Sequence, residues 1–258
     1  MAFKSIDNHS FLIFNFPSLL ELLGKGLYLK VQDMTKNTIK NLLYQVGGCL
    51  VGAYSKIMFT MDISRHKGIP KGAKIIVANH PTTIDPFILT SISNGQAAVL
   101  IKDVLFDVPI FGKYLHLAGH IPVGKMGGKI AFEKALEKLK SGITVIVFIE
   151  GDLSQFLNKI KKPKTGAIRL ALLSGKPIIP IGISVRKKNV RWIKSVIKGV
   201  QEWGKWYFKG PYAMSIGKPI NLTGNVEDRN KVKYLTGWLS RKISILAKES
   251  TKRLKLSI

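Results

Sequence analysis

Acidic side chains, cysteine and long uncharged apolar runs are all scarce in this chain of 258 residues. Fifteen Asp and Glu face 41 Lys and Arg, leaving a formal charge of +26 and a pI near 10.1. A surplus of that size requires an anionic partner, either nucleic acid or acidic lipid head groups. One cysteine, Cys49, excludes any intrachain disulfide and fits a reducing compartment. With no basic neighbour to activate it, Cys49 is expected to be inert packing. Between Lys40 and Lys56 lie only 15 uncharged residues, short of the ~18 to 20 of a spanning helix. The apolar run from Phe11 to Leu23 carries Pro17 and Glu21, and no small-residue cleavage site follows it, which argues against a secretory signal. These two segments read as helices lying in one leaflet, or else as ordinary core helices. Also missing are a G-x-S-x-G nucleophile elbow, a phosphate-cradling Gly-rich loop and any His/Cys/Asp/Glu spacing suited to a metal.

What is present is an apolar chain with a lopsided charge. Hydrophobic residues make up 46% of the sequence, enough for a sizeable core. From Glu150 to the end there are 24 basic and 6 acidic residues, which carries +18 of the total and places the anionic-partner surface mainly in that half. From Lys74 onward, short β-rich runs alternate with helical ones. Strands are expected at Lys74–Asn79, Ala97–Lys102, Thr144–Ile149 and Pro177–Val185, with a short edge or irregular strand at His120–Gly124. Helices are expected at Pro86–Ser93, Val108–Leu117, Lys129–Ser141 and Thr165–Ser174. Near-continuously apolar strands separated by helices indicate an α/β fold, with a mixed, largely parallel sheet covered on both faces. Tyr212–Ile216 is expected back as an edge strand. Val232, Leu235, Leu239, Ile243 and Leu246 then mark one face of a C-terminal amphipathic helix. The expected division is an N-terminal membrane-associating helical segment, 1–66, and an α/β domain, 67–258, whose C-terminal part is basic.

A sheet of this kind places ligands outside the carboxyl ends of its strands. The strand ends would deliver His80, Lys102, Gly124 with Lys125, and Glu150 with Gly151 to one rim. Around His80 the sequence runs Asn79-His80-Pro81-Thr82-Thr83-Ile84-Asp85-Pro86. Five residues on a regular helix span about 500°, so His80 and Asp85 could not share a helical face. Each precedes a proline, which biases it away from the α region. Asp85 then suits an N-cap with Pro86 opening the helix, and the loop between them can fold the carboxylate onto the imidazole. A carboxylate on one ring nitrogen fixes the tautomer and leaves the other nitrogen free to take a proton. His116 reads as surface helix and His120 as a strand start; His9 and His66 follow no pattern.

The segment Asn79–Asp85 resembles the H-x4-D block of the glycerolipid acyltransferases. Further blocks follow in order: Lys102 about twenty residues on, Gly119-His-Ile-Pro-Val, Phe148-Ile-Glu150-Gly151, and Lys164-Thr-Gly-Ala before Pro177-Ile-Ile-Pro-Ile. The resemblance spans roughly Lys74 to Val185. It implies acyl transfer from acyl-CoA or acyl-carrier protein to a lysolipid hydroxyl at the cytoplasmic face of a membrane, by a monotopic or peripheral protein that needs no cofactor. It makes His80 the base and Asp85 its orienting carboxylate. Asn79, Lys102, Lys125, Glu150 and Gly151 become the substrate-binding candidates. Two positions depart from the family pattern. Gly124 and Leu153 stand where the family carries the arginines taken to hold the acceptor phosphate, and Asp152 lies beside the second. A different lysolipid head group, or a non-catalytic lipid-binding relative, therefore stays open.

Between Arg186 and Lys209, cations are mixed with Trp192, Trp203, Trp206 and Tyr207. That composition suits an anionic membrane surface, single-stranded nucleic acid, or a merely solvated face. No RRM, KH or helix-turn-helix signature supports nucleic acid, and a nucleic-acid binder has no need of His80 and Asp85.

Overall fold

The computed structural model describes residues 36–124, 128–155, 160 and 162–256. Residues 43–258 form one unit and residues 1–42 another. Of the latter only the first turns of helix α1 (Lys36–Met58) are described, so the apolar run Phe11–Leu23 lies outside the described residues. The elements that follow are β1 (Phe59–Arg65), β2 (Ile75–Ala78), α2 (Asp85–Ser91), β3 (Ala97–Lys102), α3 (Phe111–Leu117), β4 (Ile121–Val123), α4 (Gly128–Lys140) and β5 (Thr144–Phe148). Then come α5 (Gly166–Ser174), β6 (Ile178–Val185), β7 (Val190–Ile197), β8 (Val200–Tyr207), β9 (Gly210–Ile216) and α6 (Arg229–Leu256).

Seven strands form one sheet in the order β1-β9-β6-β2-β5-β3-β4. The five from β6 to β4 are mutually parallel, while β9 runs antiparallel to β6 and β1 pairs parallel with β9. The expected α/β class with a largely parallel sheet is the one observed. The near-continuous apolar strands have their reason in the layering. In β2, Ile76 and Ala78 face one buried cluster, with Ile84, Ile88 and Leu89 around α2. Ile75 and Val77 face the other, with Ala135 and Leu139 of α4, Ile168 of α5 and Leu239 and Ile243 of α6. With both faces covered, every residue of a central strand must be apolar. All eight residues of β6 are buried, and a fully buried Ile is worth about 1.5–3 kcal/mol of transfer free energy. Gly182 is required where β6 meets α6, because a Cβ there would strike the helix backbone at Leu246 and Ala247.

The structure departs from or adds to the sequence reading at three points. Tyr212–Ile216 is not an edge strand. As β9 it lies between β6 and β1, and the edge is β1, Phe59–Arg65, to which the sequence reading assigned no strand. Arg253 of α6 holds this edge by bonding both oxygens of Asp62 on β1 and the Met214 carbonyl on β9. Second, the basic, aromatic stretch after Arg186 is a two-stranded antiparallel ribbon, β7–β8, outside the main sheet. Its two-residue turn, Lys198-Gly199, has φ of 46° and 79°, the positive pair that lets a tight turn follow strand twist. Third, Cys49 is exposed. The part of α1 that reaches the core lies nearer its C-terminal end, where Ser55 is buried and Tyr54 packs edge-on to Phe59. Among the described residues, no helix is long and apolar enough to cross a membrane.

Candidate active site

Strands β2, β5, β3 and β4 are adjacent and parallel, so their carboxyl ends share one rim. The loop leaving β2 carries His80, and the turn leaving β5 carries Glu150 through Ser154. Lys102 closes β3, and Gly124 follows β4. Lys125 lies outside the described residues.

The segment between β2 and α2 folds back on itself, and His80 Nδ1 lies 2.9 Å from Asp85 Oδ2. Asp85 is the first residue of α2 and does not cap it as expected; Ile84 takes that place without a side-chain bond. The carboxylate is drawn away from its own helix by four donors. Besides His80, Oδ2 accepts from Thr82 N–H at 2.8 Å, and Oδ1 accepts from the Thr82 hydroxyl at 2.5 Å and the Tyr212 hydroxyl at 2.9 Å. A fully buried carboxylate needs such partners to offset its desolvation. An acceptor-only group facing Nδ1 puts the imidazole proton on that atom, leaving the Nε2 lone pair free. No described residue bonds Nε2, and 14% of the side chain remains exposed. The ring lies flat on Phe148, with centroids 3.7 Å apart and planes 13° from parallel, which limits its rotation. Burial raises the pKa of Tyr212 well above its ordinary value, and the neighbouring Asp85 adds to this, so its hydroxyl stays a donor.

The backbone of His80 is held as firmly as its ring. Its N–H donates to Ser154 Oγ at 2.9 Å, its carbonyl accepts from Ser154 N–H at 2.7 Å, and the Ser154 hydroxyl donates to Glu150. Glu150 thus reaches the histidine through Ser154, which is 2% exposed. Two cations border this pair. Lys205 of β8 donates its ammonium to the Ser154 carbonyl. Burial lowers its pKa, against the opposing pull of Glu150 and Asp152. Lys102 lies 3.1 Å from Glu202 and 3.4 Å from Asp152. Burial disfavours its charge, but the two carboxylates together outweigh that and raise its pKa.

The remaining sequence candidates are placed as follows. Asn79 is turned into the sheet: its amide donates to the Ile183 carbonyl at 2.9 Å and accepts from Ile183 N–H at 2.7 Å, tying β2 to β6. Gly151 adopts φ of +67°, and a Cβ there would meet the Lys164 side chain at 2.9 Å. At Gly124 a Cβ would strike the Asp103 carboxylate, so this place is closed by an acid as well as lacking the family's arginine. His120 accepts from Val99 N–H at 3.2 Å and is pushed down to about 4 by burial and by Lys138, so it is neutral packing. Sequence reasoning singled out neither Tyr212, Ser154, Lys205 nor Glu202 for the site. Ser154 had a signal, standing next to Leu153, one of the two positions where the family carries an arginine. Tyr212 had none, being 127 residues from Asp85.

A family model described as Acyltransferase matches residues 61–184. The chain is 28% identical over 181 residues to the 1-acyl-sn-glycerol-3-phosphate acyltransferase of Saccharomyces cerevisiae, covering 67% of this chain and 56% of that protein. It is 29% identical over 124 residues to the protein of the same name from Escherichia coli, covering 46% and 50%. The chain spans about half the length of the curated relatives it matches. The crystal structure of the 1-acyl-sn-glycerophosphate acyltransferase PlsC from Thermotoga maritima shares its fold, with a TM-score of 0.60, 21% identity, and coverage of 90% of this chain and 92% of that one. The Acyltransferase family model thus lies over the stretch that carries His80 and Asp85, and the fold is the one seen in the Thermotoga maritima protein.

Proposed function

We propose that this protein transfers an acyl group from an acyl thioester, acyl-CoA or acyl-carrier protein, to the hydroxyl of a lysolipid at the cytoplasmic face of a membrane. The observation that carries the reading is the 2.9 Å contact of His80 Nδ1 with the buried, four-donor Asp85. His80 Nε2 takes the proton of the acceptor hydroxyl as its oxygen attacks the thioester carbonyl. Asp85 stabilises the imidazolium so formed. The tetrahedral oxyanion collapses, the carbon–sulfur bond breaks, and the departing thiolate takes the proton back from Nε2. Ester and free thiol are the products, and no acyl-enzyme is needed. The relatives named 1-acyl-sn-glycerol-3-phosphate acyltransferase support a lysophosphatidate acceptor.

A second reading concerns the acceptor head group. Gly124 abuts Asp103, Leu153 replaces an arginine, and Lys102 is paired with Asp152 and Glu202. Arginine grips a phosphate through two parallel bonds, and carboxylates repel it. These residues favour an acceptor without a phosphate monoester.

The test is thiol release with acyl-CoA or acyl-carrier protein over lysophosphatidate, glycerol-3-phosphate and lysolipids lacking the phosphate monoester. Thiol release that depends on an acceptor and disappears in His80→Ala is expected. Unchanged turnover in His80→Ala would sink the mechanism. No turnover with any acceptor would leave a lipid-binding relative.

A further inference from the structure

Ribbon β7–β8 is largely exposed and also touches the candidate site. It exposes Trp192 (60%), Val196 (63%) and Trp203 (53%). Apolar groups of that size, gathered on one two-stranded element, are more than the scattered exposure normal for a surface. A lone two-stranded ribbon is marginal in water, and this one is anchored mainly at its base, through buried Tyr207, and by ion pairs of Glu202 with Lys102 and Lys198 with Asp107. Cross-strand register puts Trp192 opposite Lys205 and Lys194 opposite Trp203, on one face with Val196. The other face carries Glu202 to Lys102 and lays Gly204 against Thr83.

From this geometry we infer that the face bearing Trp192, Lys194, Val196 and Trp203 docks on the head-group layer of an anionic bilayer and holds the lipid surface beside His80. Charge supports that occupant. Between Arg186 and Lys209 there are eight basic residues and one acidic, Glu202, which is engaged by Lys102. Tryptophan at the head-group level with lysine and arginine beside it is the composition that such a surface selects. A nucleic-acid strand suits the ribbon less well. Base stacking needs open ring faces, but Trp192 and Trp203 meet edge to face at 75°, and the Lys205 ammonium lies 4.8 Å over the Trp192 ring. Proximity gives the docking its use. The Lys205 carbonyl accepts from Thr83 N–H at 2.8 Å, three residues after His80, and the Lys205 ammonium bonds Ser154. A bilayer on this face would present an acceptor at the rim without requiring it to leave the lipid phase. That use rests on the acyltransferase reading; the docking itself does not.

The experiment uses the full chain and phosphatidylglycerol-containing vesicles with brominated acyl chains, reading tryptophan quenching. Quenching is expected in the parent and largely lost in Trp192→Phe/Trp203→Phe, which retains Trp206 and Trp238. Lys194→Gln should weaken partitioning by about fivefold, with no change on phosphatidylcholine alone. Circular dichroism checks that both variants fold. Undiminished quenching in the double tryptophan variant would overturn the proposal. So would absent quenching together with oligouridylate binding that needs the two tryptophans. Thiol release with a soluble short-chain acceptor reads the chemistry separately. Release without quenching overturns only the docking, and quenching without release overturns only the acyltransferase reading.

Discussion

The hydroxyl of Tyr212, in the middle of β9, donates to the same carboxylate that holds His80: it lies 2.9 Å from Asp85 Oδ1, while His80 Nδ1 lies 2.9 Å from Oδ2. The antiparallel strand therefore supports the tautomer of a histidine presented by the parallel half of the sheet. Tyr212→Phe removes one of four donors and leaves three. A hydrogen bond to a charged group is worth about 1.5–3 kcal/mol, so we expect a kcat lower by about tenfold and a loss of stability of about 2 kcal/mol. Steady-state thiol release and urea unfolding check the two arms. An unchanged kcat would remove Tyr212 from the site.

Ser154 is the joint between the β5 turn and the His80 backbone, bonding His80 N–H, the His80 carbonyl and Glu150. Ser154→Ala deletes the side-chain links and keeps the backbone one. Misplacement of a base acts on the chemical step more than on binding. The expected result is a kcat reduced by about tenfold with KM nearly unchanged, measured by initial rates over a range of acceptor concentration.

His120 supplies a pH dependence of stability. Its pKa is pushed from 6.5 down to about 4 in the folded protein, first by burial and then by Lys138. The folded ring is neutral, and Nδ1 accepts from Val99 N–H. Because the unfolded chain binds this proton more readily, the contribution is complete above about pH 6.5 and falls as pH drops towards 4. Near that lower limit the loss approaches about 3 kcal/mol. Urea midpoints at pH 7 and pH 4.5 should differ accordingly, and His120→Asn, which keeps an acceptor but does not titrate, should narrow the difference.

Gly182 marks the closest approach of β6 to α6. Gly182→Ala places a methyl group against the backbone of Leu246 and Ala247, where no side chain can rotate aside. Overpacking commonly costs 1–3 kcal/mol, and with backbone on the receiving side we expect about 3 kcal/mol, seen as a lower thermal midpoint. An unchanged midpoint would mean that helix and strand can separate freely.

Elements whose signal is local were legible in the sequence. A strand buried on both faces is apolar almost throughout, so Ala97–Lys102 and Pro177–Val185 declared themselves. The helix Lys129–Ser141 did so through its 3.6-residue stripe. His80 and Asp85 sit in one seven-residue segment, each followed by a proline, and local backbone preference makes that a loop able to bring them together. Their contact lies within that segment, and Tyr212, Ser154 and Phe148 brace it from outside.

What the sequence could not determine is which distant element meets which. Apolar patterning says that a residue is buried but not against what. β9 therefore read as an edge strand until β1 was found beside it, held through Asp62 and Arg253. Tyr212 shows no polar pattern of its own, and only the antiparallel register of β9 on β6 brings its hydroxyl to Asp85. Lys205 and Glu202 read as solvated charges in a basic stretch; the fold of the ribbon turns one onto Ser154 and the other onto Lys102. The sequence by itself determined the central strands, the largely parallel sheet and the histidine–carboxylate pair, because each follows from backbone preference and burial within a few residues. Only the tertiary structure decided what surrounds that pair and which acids lie beside Gly124 and Lys102, because those contacts join residues on different strands and loops.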